Sequence, residues 1–200
     1  MAAPWQPLLD WWFGPSNEAA EVAAQKHGLW FAKRAQQDAE ARERFGVFVC
    51  AALDGGLDDW CREDEGWLAL LLLLDQLPRM IHRDTPRAFA GDTRACELAL
   101  DGLALGREAR LPAIRQVFVY MVLEHAEELA VQDEVVRRFG VLHAQAAPAE
   151  QALFARFLAY AERHRAVIAR FGRFPHRNAV LGRASTAAEL AFLAEPGARF

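Results

Sequence analysis

From Trp67 to Leu74 the chain carries eight residues without a polar side chain, and this run constrains the fold more than anything else in the sequence. A helix that is apolar on nearly every side has to be surrounded, so the run predicts a central helix with other elements packed around it. Asp64 is placed to cap its start. The helix is expected to run through Gln76 and to end at Pro78, which cannot continue the backbone hydrogen bonding. The run is far shorter than the roughly 20 apolar residues that span a bilayer. No membrane partner is expected.

The flanking sequence supplies more helices and almost no strand signal: there is no sustained period-two alternation and no Asn-Gly or Asp-Gly hairpin between β-branched runs. One helix is predicted over about Pro7 to Phe13, stopped by Gly14-Pro15, and another after Asn17 carrying Trp30 and Phe31. A third has Asp38 as its cap and Gly55-Gly56 at its end. Thr85-Pro86 suits the start of a short turn, and Asp92 the cap of a helix ending near Gly102 to Gly106. Apolar helices follow from Pro112 to Leu123 and from about His125 to His143, with no Gly or Pro between, so they are read as either separate or continuous. Ala147-Pro148 opens a long helix through Phe171, closed by Gly172, and Thr186 with Glu189 forms a capping box for the last one. The expectation is an all-α fold of about eight to ten helices. Trp5, Trp11, Trp12 and Trp30 are read as core, the alternative being a partner surface.

With 200 residues and 53% apolar content, the chain suits one domain, residues 1–200, with a sizeable core. Ala2, Ala3, Pro4 and Trp5 open it without the basic patch and apolar stretch of a signal peptide. Cys50, Cys61 and Cys96 are odd in number and contain no CxxC, which argues for a reducing, cytoplasmic location and against a structural zinc site. A net charge of −4 argues against nucleic acid as a partner. Charge is nevertheless segregated. Arg163, Arg165, Arg170, Arg173, Arg177 and Arg183, with His164 and His176, occupy a stretch free of Asp and Glu, whereas Glu124, Glu127, Glu128, Asp133 and Glu134 surround His125. The two segments are expected to neutralise each other in part, the remainder facing a ligand.

Two helices carry polar residues on the stripe that should face inward. Phe154, Phe157, Ala161, His164, Ile168 and Phe171 advance by three or four residues, which places His164 among apolar neighbours. The same spacing joins His125, Glu128, Gln132, Val135, Phe139 and Leu142, a stripe whose first half is polar and has to be satisfied by partners, water or a pocket. His125 and Glu128 lack the second pair that a di-metal bundle needs, so no metal and no cofactor are expected. They are read instead as a buried ion pair or as an orienting pair for acid/base work. GxSxG, GxxxxGK[ST] and GxGxxG are absent.

The loop after Phe171 is the strongest signal, because Arg173, His176, Arg177, Asn178 and Arg183 are rich in donors on a backbone punctuated by Pro175 and Gly182. Guanidinium forks of this kind hold a carboxylate or phosphate by two bonds. The other reading is a latch, in which the arginines pair with Asp75, Asp92 or the acidic segment. Asp75, Gln76, Arg79, His82, Arg83 and Asp92 form a further polar knot, with Asp75 and Arg79 spaced to pair at i and i+4. Arg79, Arg83, Gln132, His164, Arg173, Arg177, Asn178 and Arg183 are therefore the candidate ligand-binding residues, and His125, Glu128 and His176 the candidates for chemistry.

Several stretches together resemble a known family: Trp11-Trp12-Phe13-Gly14, Asp75-Gln76-Leu77-Pro78-Arg79, Tyr120-Met121 with His125, Glu127 and Gln132, and Phe171-Gly172-Arg173-Phe174-Pro175-His176-Arg177-Asn178 with Leu181-Gly182-Arg183. Over nearly its whole length the chain is similar to the bacterial family numbered 924 among domains of unknown function. It departs from that pattern at Leu77, Met80, Val122 and Ala126, where phenylalanine, asparagine, proline and serine are expected. The resemblance implies a tetratricopeptide-like array of stacked antiparallel helices and brings no activity with it. Two functions stay open: binding of, or action on, a small anionic metabolite in an Arg/His pocket, and a peptide- or protein-binding helical module in which the arginines are the latch.

Overall fold

The computed structural model describes residues 3–198; Met1, Ala2, Arg199 and Phe200 lie outside the described residues. Among these the chain forms ten α-helices, joined in places by 3-10 turns, and no strand. The central apolar run is α4 (Asp64–Leu74), in which every residue from Gly66 onward is buried. Packed around it are α1 (Gln6–Phe13), α3 (Ala35–Leu53), α6 (Asp92–Ala104) and α7 (Ala113–Glu124). Gly102 of α6 meets α4 directly: a Cβ there would lie 2.1 Å from the Trp67 ring. α2 (Ala19–Phe31) completes an aromatic cluster in which Trp30 and Phe13 both pack edge-on against Phe118. Trp12 is buried, and Trp5, Trp11 and Trp30 are partly buried against the same core.

α4 stops earlier than the sequence suggests. The backbone breaks at Asp75 (φ −114°, ψ −59°), and Pro78 falls inside the first turn of a new helix, α5 (Gln76–Ile81). A proline three residues deep in a continuous helix would press its ring on the carbonyl of Leu74, whereas in a first turn its missing N–H costs nothing. Arg79 takes up the Asp75 carbonyl, 2.7 Å from its Nη1.

Three expected caps also serve otherwise. Asp38 lies inside α3, and Asp64 and Asp92 are the first residues of their helices rather than the caps before them. Their carboxylates still sit near positive helix ends, but guanidinium groups have claimed them. Arg83 donates two bonds to Asp38, Arg107 and Arg110 share Asp64, and Asp92 accepts from Arg79 and Arg177. A charge-assisted fork outcompetes a single backbone N–H.

α7 and α8 (Leu129–Gln145) are separate helices, so the second begins beyond His125. Gln132 closes the junction: its Nε2 donates to the carbonyls of Glu124 and Ala126, each at 2.8 Å, satisfying groups that a helix end leaves bare. α9 (Gln151–Phe171) ends at Gly172 in the left-handed region (φ 67°), as its sequence requires. Of its predicted stripe, Phe154, Phe157, Ala161, His164 and Ile168 are buried and Phe171, at the end of the helix, is half-buried. α10 (Ala187–Leu193) has the full Thr186–Glu189 capping box. α6 packs on α7, α7 on α8 and α8 on α9. Among the described residues no helix is long and apolar enough to cross a membrane.

Candidate functional site

The break between α4 and α5 turns Asp75 into the core, where its side chain has no exposure. Burial raises its carboxyl pKa, but Arg79, His125 and Gln76 outweigh that and hold the group below the ordinary carboxylate range. Its partners are close: Arg79 Nη1 at 2.9 Å, Gln76 Nε2 at 2.6 Å and His125 Nδ1 at 2.7 Å. An ionised carboxylate only accepts, so the proton between Asp75 and His125 belongs to Nδ1. Burial and the Arg79 charge depress the His125 pKa despite Asp75, and Arg177 depresses it further. His125 is therefore neutral near pH 7. It donates from Nδ1 and keeps its lone pair on Nε2, which no described residue bonds.

Arg79 continues the chain of charge. It grips Asp92 with two bonds of 2.9 Å, and Asp92 in turn accepts from Arg177 Nη1 at 3.0 Å. Both guanidinium groups lie over the Phe89 ring, at 5.3 and 5.0 Å from its centroid. Arg177 also covers Phe174 at 4.6 Å. It is buried, its Nε has no hydrogen-bond partner among the described residues, and burial with the neighbouring Arg79 pushes its pKa down to about 10. A second route links the same groups through rings: His125 to His164 at 6.3 Å, His164 to Phe174 at 5.5 Å, and Phe174 to His176 at 5.6 Å. His164 Nδ1 lies 2.9 Å from the Tyr160 carbonyl, the ordinary helical partner, and 2.9 Å from the buried Glu124 carboxylate. Burial first, and then Arg177, His164 and His125, lower the His176 pKa to about 3.

His125, His164, His176, Arg79 and Arg177 thus come together. Other predicted residues are engaged elsewhere. Arg173 holds Glu189 by two bonds, and Arg183 holds Glu127 by two. Asn178, fully buried, donates to Ser185 and accepts from Arg183. Gln132 caps α7, and Arg83, two residues beyond the end of α5, bonds Asp38 of α3. Glu128 is exposed and the partner of His125 is Asp75, so the expected His125–Glu128 pair does not form. Phe89, the aromatic surface that Arg79 and Arg177 share, and Glu124, the neighbour of His164, carry no local sequence signal that marks them for these roles. Two clefts lie apart from this cluster, one lined by Phe45, Phe48 and Trp60 and the other by Trp5, Asp64 and Arg110.

A family model described as a bacterial protein of unknown function (DUF924) matches residues 8–197. The chain belongs to this family. It is also similar to a solved structure of a protein of unknown function from Agrobacterium tumefaciens, at 34% identity over 88% of this chain and 99% of that one, with a TM-score of 0.72. No curated protein matches it. In this DUF924 chain Val122 stands where the family's proline is expected, yet α7 still ends at Glu124, because Gln132 takes the carbonyls there.

Proposed function

We propose that the protein binds a small molecule bearing a carboxylate or phosphate at the Arg177 end of this cluster, beside His125. The observation that carries the reading is Arg177 itself, a buried guanidinium that has one bond to a carboxylate already gripped by Arg79 and an Nε with no partner among the described residues. A buried donor left unsatisfied costs roughly 1–3 kcal/mol, and an oxyanion reaching Nε would remove that cost and offset the second positive charge. Arg173, Arg183 and Asn178 belong on this reading to the scaffold that holds the loop, which adopts for them the latch otherwise paired with a peptide-binding role. The consecutive packing of α6, α7, α8 and α9 supports a tetratricopeptide-like stacking. Three free thiols fit a cytoplasmic setting.

A thermal-shift series with orthophosphate, succinate and other small anions tests the site. The wild type is expected to be stabilised, and Arg177→Lys to lose roughly ten- to a hundredfold in affinity, because an ammonium cannot reproduce the planar fork. Arg173→Ala should lower the melting temperature and keep the anion response. A wild-type protein that no phosphate or carboxylate stabilises would sink the proposal and leave the arginines as a latch alone.

A further inference from the structure

We infer that His125 and Asp75 form a general-base dyad that activates water against the ester bond of a small anion held at Arg177. The inference rests on the anion-binding reading of that site and adds a reaction to it. Its first support is orientation. Asp75 has no solvent exposure, is fixed by the α4–α5 break, and accepts from Nδ1 at 2.7 Å, so the imidazole is locked in the tautomer with its lone pair on Nε2. Its second is access: the His125 side chain keeps 16% exposure although Nδ1 faces a buried partner, and no described residue bonds Nε2. Asp75 is thereby held by three neighbours, Gln76, Arg79 and His125, and of the two imidazole nitrogens only Nδ1 is used in holding it.

The nucleophile follows from what surrounds the dyad. The thiol that feels Asp75 and Asp92 is Cys96, and burial together with Glu128, Glu97 and those carboxylates pushes its pKa up to about 11, so it stays protonated. Water, not this thiol, is the nucleophile of the proposed step. Its proton passes to His125 Nε2 as its oxygen bonds to the phosphorus or acyl carbon, and the Arg177 donors take the charge that develops on the ester's oxygens. The ester bond to the alcohol oxygen then breaks, and the imidazolium, steadied by Asp75, returns the proton to that oxygen. An ester and water become an acid and an alcohol, and the dyad is restored. Asp75 is a positioning residue here, and His125 the catalytic one.

The test uses the full chain with 4-nitrophenyl phosphate and the mono-4-nitrophenyl ester of succinic acid, reading release of 4-nitrophenolate; which ester turns over separates a phosphate from a carboxylate site. His125→Gln should lower kcat by roughly 10²–10⁴-fold, and Asp75→Asn should lower kcat more than it raises KM. The wild-type rate should fall only at acid pH, as His125 becomes protonated against the burial, Arg79, Arg177, His164 and His176 that face it, with Asp75 opposing them. Because either substitution also breaks a buried pair, carbethoxylation of the wild type by diethyl pyrocarbonate, mapped by mass spectrometry, reads Nε2 independently of folding. Modification of His125, slowed by orthophosphate or succinate, is expected. No modification of His125 overturns the dyad. If orthophosphate or succinate stabilises the protein and neither ester is hydrolysed above the His125→Gln level, the dyad falls and the anion site stands. If neither stabilisation nor hydrolysis is seen, both fall.

Discussion

His125 and His176 both sit where the charged form is disfavoured, and this makes stability depend on pH in a defined direction. For His176 the folded pKa is about 3, against about 6.5 in an unfolded chain. Between those values the unfolded chain binds a proton that the folded one does not, so the His176 contribution is complete above about pH 6.5 and is lost as the pH falls toward 3. The slope is at most about 1.4 kcal/mol per pH unit and is smaller where solvent reaches the ring. Urea midpoints at pH 7 and pH 5 should therefore differ more in the wild type than in His176→Gln. Equal losses in the two proteins would show that His176 is not held neutral. The sequence placed His176 in a donor-rich loop but could not disclose its neutral state, which depends on burial and on Arg177, His164 and His125 around it.

The elements meet at the site because one glycine allows a close approach. A Cβ on Gly91, just before α6, would lie 2.2 Å from the Leu74 carbonyl oxygen, which is backbone and cannot swing aside. That contact brings Asp92, the next residue, within reach of Arg79 on the far side of the Asp75 break. Gly91→Ala should accordingly cost about 1–3 kcal/mol by overpacking, and should weaken any anion response by moving Asp92 and hence Arg177. Chemical denaturation measures the first effect and thermal shift the second; an alanine variant of wild-type stability would show that the α4 and α6 backbones do not press together as described. What could be read in the sequence at this scale was local: the Thr186–Glu189 box, the Gly172 stop, the α9 stripe and the Asp75–Arg79 spacing all lie within a few residues of chain. Asp38 and Asp64 are bound by guanidinium groups 45 and 43 residues away, and Asp92 by Arg79 and Arg177, 13 and 85 residues away, so none of these pairings has a signal at helical spacing. The His125–Glu128 spacing misleads for the same reason, since the partner of His125 is 50 residues distant.

Across the whole molecule, burial is divided unequally. One large cluster runs from Leu8 to Ala161 through α4, whereas Val167, Ile168 and Phe174, with Phe171 and Phe192 against them, form a second, small one under the C-terminal segment. That segment is joined to the remainder largely by polar contacts: Arg183 and the Phe174 N–H both bond Glu127, and Arg177 bonds Asp92. A unit with little apolar surface of its own is expected to open before the core does, carrying Arg177 and His176 away from His125 as it goes. Hydrogen exchange reports this, because Asn178, Leu181 and Arg183 each donate a backbone bond inside the loop. Their amides and those of α10 should exchange together and faster than the α4 amides from Gly66 onward, where every residue is buried. Arg183→Ala removes two charge-assisted bonds to Glu127; if these contribute roughly 1.5–3 kcal/mol to closure, exchange in the loop and α10 should accelerate about ten- to a hundredfold while α4 is unchanged. Bound orthophosphate or succinate, reaching Arg177 only in the closed form, should slow the same amides. Exchange of α10 and α4 at one common rate in both proteins would mean that the C-terminal segment and the core unfold as a single unit, and that the site is never opened by this route.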